Sequence, residues 1–81
     1  MYETIDESIS VAGVYRQGKF IPKKFLWQQR AFVITQVTFV ADIRDGSDTV
    51  RQYTVVASEA SYRLLFNRTH ETWRLKEVWC E

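Results

Sequence analysis

The segment ETWRLKEVW, residues 71–79, sets large apolar side chains on alternate positions, with Arg74 and Lys76 between them. Period-two alternation commits a stretch to a β-strand with one face in a core and one in water. Helical spacing is nowhere sustained along the chain, while β-branched and aromatic residues fill short runs separated by turn residues. Six strands are predicted, near 11–16, 19–27, 30–43, 49–57, 61–67 and 71–79. The expected fold is all-β, a single-domain antiparallel meander. Gln17-Gly18 reads as a two-residue hairpin turn, and Asp45-Gly46 opens the loop between the third and fourth strands. Pro22 makes the second strand an edge, or interrupts it there.

Pairing arithmetic gives a core. A turn at Glu59-Ala60 would set Ala57 opposite Tyr62, Val55 opposite Leu64 and Tyr53 opposite Phe66. A hairpin centred between Thr69 and His70 sets Phe66 opposite Trp73, Leu64 opposite Leu75 and Tyr62 opposite Glu77. Both registers gather apolar side chains on one face, so Trp73 and Leu75 are expected in the core. Across Gln28-Gln29, Phe25 meets Phe32, and Trp27 meets Arg30 within reach of a cation–π contact. In AFVITQVTFVADI the apolar phase passes from Phe32 and Ile34 to Val37 and Phe39. A bulge near Thr35-Gln36 would bend that strand, giving a strongly curved sheet or small open barrel. Glu77 falls on the inward phase: it belongs at the rim, or a bulge turns Val78 inward instead, and the rim is the preferred reading.

Eighty-one residues suit one domain near the small end of what folds unaided, and 15% aromatic content supplies core area from few positions. Residues 1–8 hold Glu3, Asp6 and Glu7 and no Lys or Arg, so 1–9 reads as an acidic arm on a β domain at 10–81. The rest of the chain carries 11 basic and 10 − 3 = 7 acidic residues, a mild +4. The N-terminus lacks the basic flank and apolar run of a signal peptide, and no apolar stretch approaches a membrane span. The expected setting is cytoplasmic.

Catalytic material is sparse. His70 and Cys80 are each the only residue of their type, and neither has an orienting partner in the sequence. Asp42, Asp45 and Asp48 cluster at one loop without the full ligand pattern of a calcium site. The chain therefore reads as a non-enzyme with no metal and no cofactor.

The outer face of the last hairpin says more. In the register above, Arg63 lies opposite Lys76 and Leu65 opposite Arg74. Like charges across a sheet are destabilising, by up to ~1 kcal/mol. An anion would offset this: a phosphate backbone, an acidic partner, or the chain's own acidic arm. Weak, sequence-independent nucleic-acid binding is thus expected from Arg63, Arg74 and Lys76, with Lys23, Lys24, Arg30 and Arg51 as outer contributors. The alternative is a protein-interaction adaptor or small homodimer, using exposed Trp27 and Trp79 or the uncharged edge from Ser10 to Tyr15.

Pro22, Phe25, Trp27, Arg30, Phe32 and Ile34, then Tyr53 and Val55, then Tyr62, Leu64 and Phe66, then Trp73, Arg74, Leu75 and Val78 form an extended pattern. It resembles a bacterial family of short all-β domains of unknown function, whose members read Pro, Phe-x-Trp-x-Gly-Arg-x-Tyr-x-Val, Tyr-x-Val and a closing Trp-Arg-Leu. The resemblance implies an all-β fold, a bacterial cytoplasmic setting and, through relatives encoded near DNA-damage polymerases, a link to nucleic-acid metabolism. Gln29 stands where that family has Gly, so the turn after Trp27 is expected to differ in type.

Overall fold

The computed structural model describes residues 1–80, and its ordered elements are all strands. They are β1 (Tyr2–Ser8), β2 (Ser10–Arg16), β3 (Lys19–Trp27), β4 (Arg30–Val33), β5 (Gln36–Asp45), β6 (Asp48–Ala57), β7 (Ala60–Asn67) and β8 (Thr72–Trp79). They build two antiparallel sheets, one ordered β1-β8-β7-β6-β5 and one ordered β2-β3-β4. Eight strands replace the six expected, for two reasons. The acidic segment is not a loose arm but the edge strand β1, hydrogen-bonded along β8. The long third strand is divided into β4 and β5.

Both divisions occur where the chain passes from one sheet to the other. At the first, the Ile9 N–H donates to the Trp73 carbonyl at 3.2 Å. At the second, the Ile34 N–H donates to the Lys23 carbonyl and the next N–H, of Thr35, to the Val56 carbonyl, at 2.9 and 2.8 Å. Successive residues thus belong to different sheets, which is the bend anticipated near Thr35-Gln36. A further register shift between Val37 and Phe39 adds curvature. The two sheets curl round one core but do not close into a barrel.

Three hairpins turn on residue pairs with left-handed backbone: Gln17-Gly18, Gln28-Gln29 and Ser58-Glu59, with φ between 50° and 80°. Two positive φ values match the type I′ turn, whose twist suits flanking strands. Gln29 therefore adopts the left-handed conformation that a Gly would take freely. The β6–β7 turn is Ser58-Glu59, not Glu59-Ala60. Ala57 consequently pairs with Ala60, Val55 with Tyr62 and Tyr53 with Leu64. A two-residue slip keeps every side chain on its face, so the core survives the correction.

Phe25, Val55, Ala57, Leu64 and Leu75 are wholly enclosed. Phe25 stacks on Phe32 with centroids 5.0 Å apart and takes the edge of Tyr62 at 5.1 Å. Burial of that ring pushes the Tyr62 hydroxyl pKa up. Trp73 is only half buried, packed against the core from one end. Leu75 is the core residue of that pair; Trp73 is a wall.

β4 pairs with β3 only over Lys24–Trp27 and Ile34 adds one bond to the Lys23 carbonyl, so Lys19–Pro22 has no strand on that side. Pro22, which has no N–H to donate, sits at this break, as its place in the sequence suggested. It faces Gly13 across a bulge at Lys23. An added Cβ at Gly13 would lie 2.2 Å from the Ile21 carbonyl oxygen and 2.7 Å from the Phe20 ring, so only glycine permits this approach. Beyond it the β2–β3 hairpin diverges from the larger sheet, whose edge there is β5.

Candidate nucleic-acid interface

The basic face expected on β7 and β8 is present but neutralised. A bulge between Arg63 and Leu64 puts Arg63 opposite Glu77 and Tyr62 opposite Val78. The like-charge pairing of Arg63 with Lys76 therefore does not exist: Arg63 forms an ion pair with Glu77. Val78 points inward, and Glu77 is not at the rim; it is covered on the outer face at 7% exposure with Arg63 over it. Arg74 donates from Nε to the Asp6 carboxylate at 2.9 Å and from Nη2 to the Asp6 carbonyl at 2.6 Å. Lys76 Nζ lies 4.0 Å from the same carboxylate. Asp6 reaches them from the bulge in β1, where its φ is +57°. The Arg74 guanidinium, by hydrogen bond and charge, holds the Asp6 carboxyl below its usual range. Of the three anions considered for this face, the chain's own acidic segment is the one in place.

The other expected contributors are scattered. Lys23 and Lys24 are exposed on β3. Arg30 stands opposite Trp27 in register, yet its guanidinium lies over Phe32, 5.2 Å from the ring centroid. Trp27 is half buried and donates its indole N–H to Glu7 at 3.0 Å, which removes it from the exposed set. Trp79 is exposed on the outer face beside Tyr2. Arg51 alone points into a cavity.

That cavity is the gap left by the diverging β2–β3 hairpin. On the hairpin side it is lined by Arg16, Lys19, Phe20 and Pro22; on the sheet side by Val37, Val40, Asp42, Arg51, Tyr53 and Arg68. Its volume is about 760 Å³, within the range of ligand pockets. Four cations line it against one carboxylate, Asp42. Asp42 accepts from Arg51 Nε and Nη2 at 2.7 and 3.1 Å, and Arg68 approaches the same carboxylate at 3.8 Å. Two guanidiniums on one carboxylate leave a surplus positive charge and hold Asp42 below the usual carboxylate range, chiefly through Arg51.

At the hairpin tip Arg16 is directly opposite Lys19, and Tyr15 opposite Phe20. The like-charge cross-strand pair anticipated for the last hairpin thus occurs in the first. Among the described residues, no carboxylate lies within ion-pair distance of either cation. A run of rings descends from there into the molecule: Tyr15 to Phe20 at 5.2 Å, Phe20 to Trp73 at 5.8 Å, and Trp73 to Tyr53 and Phe66 at 5.4 and 4.8 Å. Arg16, Lys19, Arg68 and Phe20 were not among the expected site residues, and Tyr15 entered only as the end of the uncharged edge. A signal was available in YRQGKF, residues 15–20, where aromatic and basic residues mirror each other about the turn.

His70 Nε2 is 3.5 Å from Asp48 in the β7–β8 loop, and Asn67 accepts the His70 N–H at 3.0 Å. Both features organise an exposed loop. No group of metal-ligating side chains occurs among the described residues, and no helix is long and apolar enough to cross a membrane. No family model, curated protein or solved structure matches this chain.

Proposed function

We propose that this chain is a non-catalytic binding module that holds nucleic acid weakly through its phosphate backbone, at the gap beside the β2–β3 hairpin. The observation that carries this reading is the pair Arg16 and Lys19, opposite one another and without a carboxylate, facing Arg51 and Arg68 across the cavity. A like-charge pair costs up to ~1 kcal/mol, and an anion between the two walls would offset that cost. The bacterial, cytoplasmic setting implied by the sequence resemblance suits such a role.

Phosphate binding releases counterions, so affinity should fall linearly in log–log form with salt. With about three to four contacts to a single strand, the slope would be roughly −2 to −3, and dissociation constants would lie at about 10⁻⁴–10⁻⁶ M. Arg16→Gln with Lys19→Gln should make the slope shallower by about 1.4, two contacts at about 0.7 each, while leaving the fold as stable or slightly more so. Binding that is insensitive to salt, or unchanged in this double variant, would refute the reading.

A second reading rests on the outer face of the larger sheet. Tyr2, Phe39 and Trp79 are each more than half exposed there, which suits a weak homodimer. Sedimentation at high concentration tests it: a strictly monomeric protein leaves that reading without support.

A further inference from the structure

A second cavity, of about 460 Å³, opens on the other side of the same hairpin, where it meets Val11, Tyr15, Phe66 and Trp73. The two cavities share Gly18, Phe20, Arg51, Tyr53 and Arg68 as lining residues. They therefore adjoin beneath the hairpin tip. We infer that they form one passage under the β2–β3 hairpin that takes a single polynucleotide strand, its bases against the rings of Tyr15, Phe20 and Trp73 and its phosphates between Arg16 and Lys19 above and Arg68 below.

This rests on the nucleic-acid reading and sharpens it from nucleic acid in general to unpaired strands. Sites for single strands combine a positive groove with aromatic platforms, because an unstacked base has a free π-face and a paired one does not. Here both are in one place. Four cations, Arg16, Lys19, Arg51 and Arg68, line the two cavities against two carboxylates, Asp42 and Glu71, and the ring series runs from Tyr15, 78% exposed at the tip, to half-buried Trp73. A duplex could use the cations but not the rings. A peptide adding as a strand would need a free hydrogen-bonding edge. On the β3 side Pro22 offers no N–H to such a strand, which leaves the outer edges of β2 and β5 for it, whereas the rings and cations together suit a ligand that stacks.

Trp73 provides the readout, being the one tryptophan that lines the passage. Replacing Trp27 and Trp79 by Phe leaves it as sole reporter in the full chain. Three probes are titrated at low salt: a thymine oligonucleotide of about eight residues, a DNA hairpin duplex of equal phosphate content, and poly-glutamate. The expected result is saturable quenching by the single strand and at least about tenfold weaker binding of the duplex, without quenching. Tyr15→Ala, at an exposed position, should weaken single-strand binding by about 5- to 150-fold, the loss of one stacking platform. Equal binding of single strand and duplex with no quenching would overturn the passage and leave the nucleic-acid reading standing. Quenching by poly-glutamate as strong as by the oligonucleotide would assign the passage to an acidic peptide and overturn the inference. No binding of either nucleic acid would overturn both.

Discussion

The two ends of the β2–β3 hairpin are built from the same kinds of residue and end in opposite states. At the base, Phe25, Phe32, Tyr62 and Trp27 pack ring on ring, and β4 closes the sheet beside them. At the tip, Tyr15, Phe20, Trp73, Tyr53 and Phe66 form a comparable series, but no strand closes the gap. Backbone, not composition, makes the difference: at Ile34–Thr35 the chain leaves β3 for β6, and Pro22 just beyond offers no N–H, so the tip of the hairpin has no strand on that side. Aromatic residues sealed at the base provide stability. At the tip the same kinds of residue run from exposed Tyr15 to buried Tyr53 and are flanked by cations.

The largest expected effect sharpens this contrast. Phe25→Ala should cost about 3–5 kcal/mol in chemical denaturation, enough to unfold most of a domain this small. Phe20→Ala, at the open end, should cost less than half as much, because the site is already partly wet. Equal losses would mean that the tip is as much a core as the base.

Charge provides a second contrast. Arg63→Ala would leave Glu77 covered and unpaired, at a cost of about 1–3 kcal/mol. Arg16→Ala should cost nothing measurable, since it relieves a repulsion. A stability loss at Arg16 matching that at Arg63 would show that Arg16 has a structural partner after all. Smaller again is the gain expected at the base-side turn. Gln28→Asn with Gln29→Gly should raise stability by about 1 kcal/mol, because both positions hold left-handed backbone that these residues adopt more readily. Thermal unfolding would detect it, and no gain would contradict the turn assignment.

The smallest effect is in pH. The carboxyls of Asp6 and Asp42 are held below the ordinary value of 3.8 in the folded chain. A depressed folded pKa contributes stability that is fully present above the unfolded value and disappears as pH falls through the folded one. Unfolding followed from about pH 5 down to about pH 2 should therefore show a loss beginning near 3.8. Asp6→Asn should flatten it slightly, both groups being solvent-exposed and screened.

Much of the base was legible in the sequence, and most of the tip was not. Alternation located every strand but β1, though it ran β4 and β5 together as one, and it gave the facing of Phe25 on Phe32 and the bend near Thr35. Strict alternation also misled. It predicts a residue's face only while the register runs unbroken, and the bulge between Arg63 and Leu64 changed Glu77 from an inward misfit into the counter-ion of Arg63. The acidic segment was read as an arm because Glu3, Asp6 and Glu7 lack a strand's apolar alternation. An edge strand held by β8 and by Arg74 does not require it. The gap was illegible because it depends on where pairing stops, a property of two strands distant in sequence. YRQGKF carried the local half of that information: a hairpin tip with two cations and two rings and nothing acidic.

On the proposed reading, ligand goes to the open tip and not to the neutralised face of β7 and β8. The most direct measurement is an NMR titration of the labelled protein with a short single-stranded oligonucleotide at low salt. Shift changes should concentrate at Arg16, Lys19, Arg68 and the Trp73 indole, leaving Arg63, Arg74 and Lys76 near their starting positions. Shifts confined to Arg63, Arg74 and Lys76, with the hairpin tip unmoved, would contradict the account.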